Sequence, residues 1–329
     1  MLFRSPIRAS CRGGAWQTDL AYPKASAPVQ FSRALARAEA SGAAAYLWID
    51  FRRETSAPGL KELEILFTIP DKSARATVRV LIDDAESRTF TISQIHDRIL
   101  IRSRKPFSTM KLFVERGSLF LDGFVPTYVD APKLVLDTLS IPGATARAWR
   151  IVEPSFLRTW GPATPYDLAL LQYGTNEGNS STFDRAQYAR MLRESLAGFR
   201  AAYPNASCVL IGPTDRGVLV RRGGKKRKKS AAPSNLLLYA RIHYEISQLQ
   251  SEIGKEFGCA FWNWQRAMGG PGSMYRWQRA QPALAATDLI HLTKLGYQES
   301  ARRFSEDIDR KSTRLNSSHI PLSRMPSSA

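Results

Sequence analysis

The sequence predicts an α/β protein in which an antiparallel β-sandwich precedes a parallel sheet flanked by helices. Three observations carry that reading. Before about residue 125 the chain runs in short β-type segments separated by Gly, Pro, Asp and Ser at hairpin-like spacing. After it, apolar strand-like runs alternate with helical segments, the mark of a parallel sheet. Each helical segment gathers its apolar residues on one face.

In chain order, strands of the first part are expected at 45–50, 63–69, 76–82, 89–92, 99–102, 110–114 and 118–121. Val78, Val80 and Ile82 alternate with Arg79 and Leu81, so that strand is at best half exposed. The run 166–173 is apolar enough for a buried parallel strand and stops at Gly174-Thr175-Asn176-Glu177. In the helix expected at 184–203, Tyr188, Met191, Leu192, Leu196 and Phe199 share a face. Leu238, Ile242, Ile246, Leu249 and Ile253 do so in the next helix, and Tyr297, Ala301, Phe304 and Ile308 in the last. These stripes read as core rather than as cofactor boxes. The expected divisions are an irregular stretch at 1–29, the sandwich at 30–125, the α/β domain at 126–310 and a non-native tail at 311–329.

The tail has no helical or strand period, is rich in Ser and Pro, and looks like translated adapter sequence, so it is set aside. The first residues, Met1-Leu2-Phe3-Arg4-Ser5-Pro6, show no signal-peptide pattern. With 43% hydrophobic residues and no apolar run long enough to span a bilayer, the composition is that of a globular protein without a transmembrane segment.

A formal charge of +18 suggests an acidic partner until it is localised. Removing the eight cations of 216–229 and the three of the tail leaves +7. The cluster Arg221-Arg222-Gly223-Gly224-Lys225-Lys226-Arg227-Lys228-Lys229 has no interleaved aromatics for base stacking, so a solvated loop is expected and no specific nucleic acid. An anionic polymer such as cell wall, or a membrane surface, is the next choice. Three cysteines make no disulfide framework. Cys208 and Cys259 are expected in neighbouring strands as small core residues, with a bridge between them left open. No Cys/His/Asp cluster has metal-ligand spacing and no Gly-rich phosphate loop follows a strand, so no metal or cofactor is expected. His96, His243 and His319 lack a partner pattern, and His243, on a helix, is expected at the surface.

Asp288-Leu289-Ile290-His291, just before the last helix, is a general-base arrangement: an acid three residues before a His can orient the ring and stabilise its cation. Asn176 closes the 166–173 run, where open α/β sheets carry their sites and where an amide can donate to a developing oxyanion. Each has a plainer role as well. Asp288 can cap residues 290–291, His291 can be a structural residue and Asn176 a cap or turn residue.

With Ser140-Ile141-Pro142-Gly143-Ala144-Thr145, these segments resemble the SGNH (GDSL-like) hydrolase family over roughly residues 117–310. The stretch 259–274, Cys-Ala-Phe-Trp-Asn-Trp-Gln-Arg-Ala-Met-Gly-Gly-Pro-Gly-Ser-Met, looks like the branch acting on O-acetylated cell-wall polysaccharide. The resemblance implies a flavodoxin-like three-layer hydrolase domain, here partial, with an inserted jelly-roll-like, carbohydrate-binding-module-like sandwich. It implies an oxyanion hole from the Gly143 N–H and Asn176, and a triad completed by Asp288 and His291. An O-acetylesterase of polysaccharide or peptidoglycan follows, periplasmic or extracellular.

One departure is serious: the family's Gly-Asp-Ser nucleophile motif occurs nowhere in the sequence. The chain therefore reads as a fragment opened after that motif and catalytically incomplete, with Ser10-Cys11 no substitute. Glu177 stands where much of the family has Asp, which suggests a subgroup. A non-catalytic carbohydrate-binding protein, or an acetyltransferase on the same site, remains an alternative. Trp48 can be core or sugar platform, Trp16 lies in a poorly patterned stretch, and Trp262 is expected to be buried although it flanks the loop 269–272 with Trp264 and Trp277.

Overall fold

The computed structural model describes residues 9–14, 16–20, 36–41, 45–52, 59–69, 74–130, 134–137, 143–159, 166–219 and 235–315. Residues 140–142, the basic cluster 221–229 and the tail beyond Leu315 lie outside the described residues. Contacts divide the chain into two units, Met1–Tyr166 with Glu194–Ala206, and Asp167–Arg193 with Ser207–Ala329.

Among the described residues the first unit holds ten strands: β1 (Ala9–Gly13), β2 (Trp16–Leu20), β3 (Ala36–Ser41), β4 (Tyr46–Asp50), β5 (Leu60–Thr68), β6 (Ala76–Ile82), β7 (Glu86–Ile92), β8 (His96–Phe107), β9 (Thr109–Arg116) and β10 (Ser118–Tyr128). They form two antiparallel sheets, ordered β1-β4-β9-β6-β7 and β2-β3-β10-β5-β8. One buried cluster draws on both: Ile49, Val78, Val80, Met110 and Leu112 from the first, Leu63, Ile65, Phe67, Ile101 and Leu121 from the second. Alternation along each strand supplies these inward residues, most cleanly in β6, where Val78, Val80 and Ile82 are buried and Arg79 and Leu81 are not. Asp83 and Asp84, at φ 46° and 55°, make the tight turn into β7.

Two expectations for this part are corrected. The stretch 1–29 is not irregular throughout: β1 pairs with β4, and β2 with β3. Edge strands are held by backbone hydrogen bonds and need little apolar pattern of their own, which is why composition did not show them. The last strand also outruns residue 125, ending at Tyr128 after a bulge at Leu121/Gly123.

The second unit carries a parallel sheet, β11 (Leu168–Gln172), β12 (Ser207–Ile211) and β13 (Ala260–Trp262), in that order. Its helices are α3 (Leu238–Glu256), α4 (Trp264–Met268), α5 (Ser273–Arg279) and α6 (Lys294–Leu315), while α1 (Pro154–Thr159) belongs to the first unit and the division passes through α2 (Arg185–Ala202). Tyr188, Leu192, Leu196 and Phe199 of α2, and Ile242, Ile246, Leu249 and Ile253 of α3, are buried as the stripes require. Cys208 and Cys259 are joined by a disulfide, which settles the open pairing.

Here too the sequence reading needs correction. β11 is not a buried strand: it is paired on one side by β12, and Leu168 and Leu170 are 52% and 43% exposed. The stripe Tyr297, Ala301, Phe304 and Ile308 is only in part the packed face of α6: Phe304 meets the Trp262 ring edge-on at 5.0 Å between centroids, whereas Tyr297 is 49% and Ile308 43% exposed. The helix is turned so that small residues also face inward. A Cβ on Gly296 would lie 1.9 Å from Leu284 O, and Ser300 accepts the indole N–H of Trp264 at 2.9 Å. Trp262 Nε1 donates to Asp307 on the same side at 2.9 Å. Close approach and indole hydrogen bonds decided the face, and an apolarity count ignores both. α6 also runs past Arg310 to Leu315, because lengthening a formed helix avoids the nucleation cost that an isolated segment of that composition would face.

Candidate active site

In the second unit, the turn before α6 holds Asp288 and His291. The chain bends back between Ala285 and Leu292, which form a β-bridge, with Ala286 N donating to His291 O at 2.8 Å. Leu289 takes φ +61°, a left-handed conformation costing a non-Gly residue about 1–2 kcal/mol. Its side chain is buried with Met268, Met274, Trp277, Ala285 and Leu292, and burial of a Leu contributes about 1.5–3 kcal/mol, enough to offset the strain.

The bend turns the Asp288 carboxylate onto its own loop. Oδ1 accepts the N–H groups of Ile290 and His291 at 2.9 and 3.0 Å, and Oδ2 accepts His291 Nδ1 at 2.6 Å. Partial desolvation works against the ionised form, but the His291 ring and the two N–H groups outweigh it and hold Asp288 down at about 2. Capping and orienting are thus one arrangement rather than alternatives. Nδ1 carries the proton that Asp288 accepts, which leaves Nε2 as the basic nitrogen of the neutral ring. The ring is 70% exposed, and among the described residues Asp288 is its only hydrogen-bond partner.

Asn176 follows β11 in a tight loop. Gly174 takes φ +117° and donates to Glu177 Oε2 at 3.0 Å, and Gly178 N donates to Gly174 O at 2.9 Å. A side chain at Gly174 would run into Pro213 and Ile246 within 3.0 Å. Asn176 is exposed, and its side chain makes no cap bond to the 3-10 turn it precedes, Glu177–Asn179. Gly143 sits in an exposed turn at φ +78°, in the first unit, whereas the other three belong to the second.

Under the Asn176 loop lies His243, which the sequence reading put at the surface. It is 0% exposed. Its position on α3 explains the error: it stands beside Ile242 and one turn before Ile246, inside the buried stripe. Nδ1 donates to Thr214 O at 2.7 Å, while Nε2 is buried beside the Thr175 backbone. Burial pushes this histidine down to about 4, the Thr214 bond opposing and the Arg216 charge adding to the shift.

Thr214 lies in the loop after β12, and that loop ties the region together. Asp215, fully buried, accepts Met274 N and Gln265 Nε2, each at 2.8 Å, and so holds the start of α5 behind the Gly-rich turn. Burial raises its carboxyl, opposed by these donors and by the N–H groups of Arg216 and Gly272. Gly217 N donates to Leu289 O at 3.0 Å. Gly178 against His243, His243 on Thr214, and Gly217 on Leu289 thus make one continuous run of contacts from the Asn176 loop to the Asp288–His291 turn. The sequence reading missed Asp215 and Arg216 as site neighbours, and no motif marked them.

Three tryptophans near the Gly-rich turn serve packing. Trp262 and Trp277 are 7% and 5% exposed, and Trp277 Nε1 donates to Met268 O at 3.0 Å. In the first unit Trp48, facing away from the core, is half-buried, and Trp16 packs against the core. Among the described residues no group of three or more His, Cys, Asp or Glu is placed to hold a metal ion, and no helix is long and apolar enough to cross a membrane.

No family model matches the chain, and no curated protein matches it. Among solved structures it is similar to a peptidoglycan O-acetylesterase, with TM-score 0.63 and 17% identity over 92% of this chain and 77% of that one. A family two carbohydrate esterase from Clostridium thermocellum (TM-score 0.29, 12% identity, 84% and 95% covered) and a salicylyl-acyltransferase from a tetracycline biosynthetic pathway (0.32, 13%, 82% and 82%) also match. Only the first is alike enough to bear on architecture. The chain is a mixed α/β protein with the fold of that esterase.

Proposed function

We propose that this chain carries most of an SGNH-type ester hydrolase that removes acetyl groups from an O-acetylated cell-wall polysaccharide or peptidoglycan. The observation that carries the reading is the Asp288–His291 pair, with Oδ2 and Nδ1 at 2.6 Å and the His291 side chain 70% exposed. In this reading a serine attacks the acetyl carbonyl and His291 Nε2 takes its proton. Asp288 holds the tautomer and balances the imidazolium, and the Asn176 amide stabilises the oxyanion. His291 then returns the proton to the leaving sugar oxygen, and water repeats the cycle to release acetate. A sugar hydroxyl in place of water would make the same site a transferase.

The serine is the missing part, since the sequence holds no Gly-Asp-Ser. The 329-residue chain is accordingly proposed to be catalytically incomplete. The sandwich is proposed as a carbohydrate-binding-module-like domain, and the Cys208–Cys259 bridge supports an oxidising periplasmic or extracellular setting. The test is to read upstream of the Met1 codon for an in-frame Gly-Asp-Ser and to assay both products. The longer one should release acetate from O-acetylated peptidoglycan and hydrolyse p-nitrophenyl acetate, with His291→Ala at background, and the 329-residue chain should show background only. Hydrolysis that survives His291→Ala sinks the assignment.

A further inference from the structure

Arg216 lies inside the run of contacts that joins the Asn176 loop to the Asp288–His291 turn, and nothing in the acyl-transfer chemistry uses it. Its backbone is fixed on both sides. Asp215 before it is anchored by Gln265 and Met274, and Gly217 after it donates to Leu289 O at 3.0 Å. Its guanidinium lies 4.5 Å over the Tyr239 ring, and its Nε is buried with no hydrogen-bond partner among the described residues. The charge is felt by Asp288 on one side and His243 on the other.

A half-buried guanidinium usually has a carboxylate partner, because withdrawing a cation from water without one is costly. Asp288 is near but committed: both oxygens are taken by Ile290 N, His291 N and His291 Nδ1, and no ion pair joins it to Arg216 among the described residues. A guanidinium held over an aromatic ring still has its two terminal nitrogens to offer a carboxylate.

We propose that Arg216 is the recognition residue of a carboxylate subsite beside His291, so that the substrate is an acidic sugar chain rather than a neutral one. This rests on the ester hydrolase reading and narrows its substrate class. The carboxylate can come from the lactyl ether of a muramic acid residue that carries no stem peptide or from a uronic acid, and both present the same group to the fork.

The test is equilibrium binding to the purified full chain, which needs no nucleophile. N-acetylmuramic acid, glucuronic acid and N-acetylglucosamine are titrated at millimolar concentration while His291 ring signals are followed. Charge-assisted pairing predicts that at least one of the carboxylated sugars binds about tenfold or more tightly than N-acetylglucosamine, and the tighter of the two identifies the source. Arg216→Gln should abolish the preference and leave N-acetylglucosamine binding unchanged, and Arg216→Lys should restore it in part. Thermal melts of both variants separate lost recognition from lost folding. No binding of either acid, or a preference that survives in a folded Arg216→Gln, overturns the subsite. A preference that is lost in Arg216→Gln while the longer gene product proves inactive on acetyl esters leaves the subsite standing and removes the hydrolase reading instead.

Discussion

Gly178 has no side chain because His243 occupies its space: a Cβ there would lie 2.5 Å from His243 Cδ2 and 2.8 Å from Nε2. The buried imidazole is thus the floor on which the Asn176 loop rests. Gly178→Ala should cost about 1–3 kcal/mol by overpacking. Combining it with His243→Ala, which removes the ring, should cost less than the sum of the two single changes, because the clash is shared. Urea melts of the four proteins measure this, and strict additivity would show that the loop does not bear on the ring.

The same histidine sets a pH dependence. Its folded-state value of about 4 lies below the 6.5 of an unhindered ring, so the folded protein favours the neutral form. That contribution is complete above pH 6.5 and is lost as pH falls from there to about 4. At about 1.4 kcal/mol per pH unit, up to about 3 kcal/mol should disappear across the window. His243→Gln should flatten this part of the stability profile. An unchanged slope between these pH values would place the titration elsewhere.

How much of this was legible depends on which property a residue is chosen for. The β6 alternation of Val78, Val80 and Ile82, and the stripes of α2 and α3, were readable because burial of apolar area sets them. Asp288 and His291 were readable because a three-residue spacing in one loop nearly dictates their contact. β11 misled, since Leu168 and Leu170 look like core residues whether or not a neighbouring strand covers them. α6 misled in part for the opposite reason: beside Phe304 its inner face is made by Gly296 and Ser300, whose smallness is their function. His243 was hidden by its type, as a histidine in an apolar stripe is normally read as polar surface. Arg216 and Asp215 depend on contacts between loops far apart in sequence, which no local pattern encodes.

The left-handed Leu289 makes an unusual prediction about glycine. At an ordinary position Gly is worse than Ala by about 0.5–1 kcal/mol. At φ +61° the order should reverse, because Gly relieves the strain that Ala keeps. Both substitutions lose the packing against Met268, Met274 and Trp277 and should cost about 2–5 kcal/mol. Chemical denaturation decides the order, and a Leu289→Gly clearly less stable than Leu289→Ala would show that φ is not held positive in solution.

The Cys208–Cys259 bridge closes a loop of 51 residues in separation, which by chain entropy stabilises by about 3–5 kcal/mol. Replacing both cysteines with Ala should lower Tm by about 10 °C. A calorimetric scan with unchanged Tm in the double variant would show that the bond does not form in the folded protein.

Asp288 should control the tautomer of His291, and this can be checked without any turnover. With the ring neutral, a carboxylate at 2.6 Å from Nδ1 keeps the proton on that nitrogen and leaves the Nε2 lone pair outward, as a general base requires. Two-bond 15N–1H correlation spectra of the wild type should show the Nδ1–H form dominant. In Asp288→Asn the amide can meet Nδ1 with either its oxygen or its NH2, so the bias weakens and the Nε2–H form rises. Because the folded carboxyl is held at about 2, the wild-type pattern should persist unchanged down to the pH at which the ring itself takes a proton. The acid limb of stability has the matching sign. A depressed carboxyl stabilises above its unfolded value of about 3.9, and that contribution fades as pH falls through about 2. The side chain is 45% exposed, so solvent screening limits the effect to about 1 kcal/mol. A wild type in which Nε2 carries the proton would leave His291 unable to act as the base, and the esterase reading would go with it.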